Sequence, residues 1–130
     1  MVSIDTNVAV RLLVNDDPEQ TRRAAELFSG HKIFISKTVA LETEWILRGV
    51  YKLDVKKVNF ALTALLSLEN VLVEDVSSLF TALDAHAKGM DFADALHLAS
   101  SSSAESFATF DTAFRARAKK LSLLPPVISP

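Results

Sequence analysis

The chain has 130 residues, 49% hydrophobic and 23% charged, with 14 basic and 16 acidic side chains and no cysteine. That length suits a single domain, 1–130, able to bury a core without disulfides, and the composition is too apolar for a disordered chain. The missing cysteines exclude disulfide scaffolds, zinc knuckles, Fe–S clusters and thiol catalysis, and a net charge of −2 speaks against coating nucleic acid by bulk charge, so local charge matters.

In chain order, Met1–Ile4 is a short apolar run ending at Asp5, the pattern of a buried first strand. Thr6 to Val14 reads as a helix that Asn15-Asp16-Asp17-Pro18 breaks. Pro18 suits the first turn of the next helix, with Asp17 as its N-cap and Gly30 near its end. Lys32–Ile35 is β-rich, and Ser36 or Thr38 caps a helix reaching about Tyr51. Asp54 opens another helix through Leu68, and Val71–Val73 is a third strand. Ser77 to Lys88 is helical up to Gly89, and Asp91 to about Ser102 is helical again. Ser106–Thr109 reads as a strand, Asp111 to Lys120 as a helix, and Leu123–Ser129 as an extended edge piece that Pro125 and Pro126 keep off a central sheet position. Strands alternating with helices predict a largely parallel α/β sheet, covered on both faces and small because helices are many. The opening Met1 to Asp5 lacks the basic and apolar regions of a signal peptide. The longest uncharged run, Val58 to Leu68, is about half the ~20 residues that span a bilayer. A soluble, cytoplasmic protein without a membrane partner is expected.

The acids carry the chemical information. Ligands of parallel sheets sit beyond the strands' carboxyl ends, where Asp5 and Asp111 both fall, although helix capping explains either one alone. Asp91 and Asp94 share one helix face at i and i+3, and such a like-charged pair costs stability unless a cation or a basic side chain neutralises it. Glu42 and Glu44 point about 200° apart around their helix, so at most one faces the core. Carboxylates from several elements, with no Cys and no His pair at metal spacing, describe a hard oxygen site for Mg²⁺ or Mn²⁺. Such a site suits phosphodiester hydrolysis, which needs an activated water and neutralised phosphoryl charge.

Val2-Ser3-Ile4-Asp5-Thr6-Asn7, Leu41-Glu42-Thr43-Glu44-Trp45-Ile46-Leu47, Asp91-Phe92-Ala93-Asp94-Ala95-Leu96 and Thr109-Phe110-Asp111 resemble, in order, the four acidic motifs of the PIN domain. The resemblance covers essentially the whole chain and is nearest to the VapC-type toxins of bacterial toxin–antitoxin pairs. It implies a three-layer α/β/α sandwich with a small, mainly parallel central sheet, and a Mg²⁺- or Mn²⁺-dependent endoribonuclease. Asp5, Glu42, Asp94 and Asp111 match the family's catalytic, metal-holding acids; Asp91 resembles an accessory acid, and Thr6, Asn7 and Thr109 fall where polar residues orient the carboxylates or metal-bound water. The resemblance also implies an RNA substrate, a small cognate antitoxin and a homodimer. Glu44 matches no family position and is expected at the surface. His97, three residues after Asp94, reads first as a core or rim residue.

Arg115, Arg117, Lys119 and Lys120 read first as solvated helix surface and second as RNA-phosphate contacts. Arg11 could reach the phosphate path or an antitoxin acid. Trp45 and Phe92 are expected in the core, and the apolar helices from Thr38 to Leu68 offer surplus surface for a second copy. A haloacid-dehalogenase-type phosphatase would need a second Asp where Asn7 stands, and a receiver domain a late strand-end lysine that Ser106–Asp111 does not supply. The remaining alternative is a catalytically silent PIN-like module that binds protein or RNA; acids at every motif position speak against it.

Overall fold

Five strands and seven helices alternate along the computed structural model, which describes all residues 1–130. They gather into two compact units, Met1–Asp75 and Val76–Pro130. The first holds β1 (Val2–Ser3), α1 (Thr6–Leu13), α2 (Pro18–Gly30), β2 (Ile33–Ile35), α3 (Lys37–Gly49), α4 (Val55–Leu66) and β3 (Val71–Val73). Its strands form one parallel sheet in the order β1-β2-β3, with Val2 opposite Ile33 and Ile33 opposite Val71. Ile33 and Ile35, on one face of the central strand, are wholly buried, while Phe34 on the other face is partly exposed. α1 packs on α2 and α3, α3 on α4, and α4 on β3. Leu47, Val58 and Leu62 are fully enclosed, each contributing about 1.5–3 kcal/mol of apolar burial.

The second unit holds α5 (Val76–Ala87), α6 (Phe92–Ala99), β4 (Phe107–Ala108), α7 (Thr112–Lys120) and β5 (Val127–Ile128). α5 packs along α6, with Leu79, Ala82 and Leu83 of α5 and Ala95, Leu96 and Leu98 of α6 among their buried residues. β4 and β5 pair in parallel, and the Phe107 ring stacks on Phe114 of α7 at 5.2 Å. The expected α/β class with small parallel sheets is what forms, its strands paired in one group of three and one of two. No helix is long and apolar enough to cross a membrane.

Six helices start on a side-chain cap. Asp5, Asp17, Ser36, Asp54, Asp91 and Asp111 each accept from a backbone N–H of the first turn. α6 stops at Ala99, short of the expected Ser102, and Ser100 to Ser103 form turns, since serine's hydroxyl competes for backbone groups.

Two expectations for α3 are corrected. Its buried stripe is Ala40, Thr43, Glu44 and Leu47, the i, i+3, i+4, i+7 pattern of one helix face. Glu44 is therefore 2% exposed and not a surface residue; Arg48, one turn on, donates Nε–H to its Oε2 at 2.8 Å. Trp45, one position out of phase with that stripe, is 56% exposed and not in the core. Phe92 is buried as expected.

Candidate active site

In the first unit, Asp5 stands at the carboxyl edge of the sheet because β1 ends one residue before buried Ile4, whose N–H still reaches Phe34. The Asp5 side chain is exposed and its Oδ1 accepts from Thr6 N at 2.8 Å, so the acid is also the cap of α1. Thr6 is buried beneath it, and Asn7 is exposed. Ser36 and Glu74 occupy the same edge, after β2 and β3. Glu74 and Asp75 are already engaged with Lys37: the Lys37 N–H donates to Glu74 Oε1 at 2.9 Å, and its Nζ lies 3.2 Å from Asp75 Oδ2. Glu42 is exposed on α3, which packs against α1.

Arg11 turns toward its own unit. Its Nε–H donates to Gln20 Oε1 at 2.7 Å, and its NH1 donates to Asp16 Oδ1 at 3.2 Å and to the Tyr51 hydroxyl at 3.0 Å. Tyr51 in turn donates to Asp16 Oδ2 at 2.6 Å, and that bond, with burial, holds the phenol above its usual range. Arg11 and Asn7 also line a cleft of about 380 Å³ between α1 and α2.

In the second unit Asp91 and Asp111 are near enough to Asp94 for their charges to act on it. Buried Met90 and Phe92 pin the start of α6, so Asp91 caps the helix, its Oδ2 accepting from Asp94 N at 3.1 Å. Asp111 caps α7 through Phe114 N at 3.0 Å, and its own N–H donates to Thr109 Oγ1 at 3.1 Å. Asp94 is half-buried, and its carboxyl is pushed above the ordinary carboxylate range by desolvation first, then by the charges of Asp91 and Asp111. His97, exposed one turn on, pulls it partly back. Spacing alone paired Asp91 with Asp94; Asp111 joins them only through tertiary folding.

Arg115 donates NH1–H to the Thr109 carbonyl at 2.7 Å, bracing the turn that carries Phe110 and Asp111. Arg117 lies instead against Gly89, whose φ of +101° places the backbone where a side chain would be strained. One position that sequence reading passed over is Phe110, which is 84% exposed. Its signal was the strand alternation, which puts Phe107 and Thr109 inward and Ala108 and Phe110 outward.

The donor set is carboxylate only, chemistry that fits a hard divalent cation. No group of three or more acidic or histidine side chains forms a ready-made cage. Mg²⁺ tolerates that, because it keeps several waters and is often bound by one or two carboxylates.

One family model, the PIN domain, matches residues 2–120 and so takes in both units and every acid of the four motifs. No curated protein matches the chain. The chain therefore belongs to the PIN-domain family, a fold of the nuclease type.

Proposed function

We propose that this protein is a Mg²⁺- or Mn²⁺-dependent endoribonuclease and the toxin member of a VapC-type toxin–antitoxin pair. PIN domains are generally nucleases that use divalent metals. The observation that carries the reading here is the half-buried Asp94 carboxyl, disfavoured as an anion by desolvation and by the charges of Asp91 and Asp111, a penalty that a bound cation would relieve. The acids assigned to metal binding are Asp5 and Glu42 in the first unit and Asp94 and Asp111, with Asp91 assisting, in the second. Once bound, such an ion lowers the pKa of its water and neutralises charge on the phosphoryl oxygens. The chain's own part is to fix the carboxylates. The Thr6 N–H orients Asp5, the Thr109 hydroxyl and Phe114 N–H orient Asp111, and Asp91 holds the first turn on which Asp94 stands. In this reading water is the attacking group, and no covalent enzyme intermediate forms.

The test is cleavage of single-stranded RNA with Mn²⁺ by the purified chain, against EDTA and Asp94→Asn. Each should lower kcat/KM by at least ~100-fold, several kcal/mol of lost transition-state stabilisation. Full activity in EDTA, or in Asp94→Asn, would overturn the mechanism. Metal-dependent stabilisation without any turnover would favour a silent binding module instead. A second copy of the chain and a small antitoxin are the protein partners in this reading, and RNA ends that accumulate when the chain is expressed alone would identify the substrate.

A further inference from the structure

The second unit carries a feature that metal chemistry does not use. α7 holds Arg115, Arg117, Lys119 and Lys120 and no acid after its Asp111 cap. Asp111, Arg115 and Lys119 recur every four residues, so they line one side of the helix over ~12 Å. Beside that side lies an open cleft of about 670 Å³, with Arg115 and Lys119 on its rim and Leu123, Leu124, Pro126 and Val127 among its apolar lining. Lys119 takes part in no ion pair. At the Asp111 end stands Phe110, the most exposed of the large apolar side chains.

That ring is presented on a held turn. Thr109 N–H donates to the Ile128 carbonyl at 3.0 Å, Arg115 holds the Thr109 carbonyl, and Asp111 is bonded on both sides. An aromatic face fixed beside acids, with cations leading away from it over an apolar floor, matches what a single strand needs: a stacking platform and a track for the backbone. Duplex RNA offers no free base face to such a ring, because its bases are stacked inward.

We propose that the α7 cleft is the track for one arm of a single-stranded RNA, with a base next to the scissile phosphate stacked on Phe110 and the following phosphates on Arg115 and Lys119. This rests on the ribonuclease reading. Arg115 spends one donor on Thr109, and a guanidinium has five, so bracing the turn and meeting a phosphate are compatible. Asp111 at the head of the row ties the track to the site, and Arg117, folded over Gly89, lies outside it.

The experiment measures fluorescence anisotropy of a short fluorescein-labelled, mixed-sequence single-stranded RNA on the full chain carrying Asp94→Asn, so that nothing is cut. Adding Phe110→Ala should weaken binding roughly 5- to 150-fold, the range of one lost base–aromatic stack, while Phe110→Trp restores it. Lys119→Ala should flatten the slope of log affinity against log salt by about 0.7, one phosphate contact on a single strand. In the cleaving chain, Phe110→Ala should raise KM more than it lowers kcat. Binding and cleavage left unchanged by both Phe110→Ala and Lys119→Ala would overturn the track and leave the ribonuclease reading standing. Absence of both cleavage by the unaltered chain and RNA binding by Asp94→Asn would remove the ribonuclease reading, and the track with it. Binding of an acidic peptide at this cleft without RNA would also overturn the proposal.

Discussion

At Asp94, capping cannot account for the acid. Asp5, Asp91 and Asp111 each earn a place as helix caps, but Asp94 stands inside the first turn of α6, half out of water, facing two like charges. Its raised pKa makes a signed prediction. The folded state holds the Asp94 proton to higher pH than the unfolded chain does, so folding is penalised wherever the carboxylate is charged. The penalty is absent below about pH 4, near the unfolded value, and complete above the folded pKa. Asp94→Asn should therefore raise the melting temperature of the metal-free protein at pH 7, and the gain should vanish toward pH 4. The gain is modest because solvent screens a half-buried group. Thermal melts in EDTA across that range check it, and a gain that grew in acid would contradict it. Glu44 is the opposite case, a carboxylate buried for structure. Arg48→Ala removes its partner and should cost about 2 kcal/mol by urea denaturation, less than a fully buried pair because Arg48 is itself half in water.

At the scale of elements, cap and charge can be separated. Asn caps a helix about as well as Asp, whereas Ala does not. Asp111→Asn should keep the α7 cap and lose RNA cleavage; Asp111→Ala should lose both cap and cleavage, with about 1 kcal/mol less stability by denaturant midpoint. Equal stability in the two variants would mean that the Phe114 N–H bond contributes nothing. The same local chemistry explains why the helix starts were legible in the sequence: Asp17 before Pro18, Asp54, Asp91 and Asp111 are decided within four residues. The phase of α3 was not. Apolar residues occupy so much of Val39 to Leu47 that several faces look equally buried, and only packing against α1 and α4 selects the stripe that admits Glu44 and expels Trp45. The meeting of Asp91 and Asp94 with Asp111 was equally hidden, because it depends on how α6 and α7 pack within one unit and not on spacing. What the motifs did convey was which acids to watch.

For the whole molecule, the strongest remaining question is what covers the apolar side chains left in water between α3 and α4. Trp45, Val50, Val55 and Phe60 are 56, 60, 46 and 77% exposed within one stretch of helix, loop and helix. Single exposed apolar residues need no explanation, but a run of them along the chain, two aromatic, is what we propose as an interaction surface. A second copy of this chain is the partner expected. A stable protein interface buries about 800 Å² on each side, and aromatic anchors of 150–250 Å² each dominate its energy. Trp45 and Phe60 are therefore the residues on which association should turn. At micromolar concentration, light scattering should give twice the chain mass. The Trp45→Glu, Phe60→Glu double variant should give the chain mass alone, with unchanged circular dichroism because neither side chain lies in a core. A monomeric parent protein would leave the surface to the antitoxin. In that case the same double variant should lose binding to the proposed antitoxin while keeping its RNA cleavage, since neither residue belongs to the acidic site. A variant that loses cleavage while staying dimeric would place these residues at the RNA and contradict both assignments.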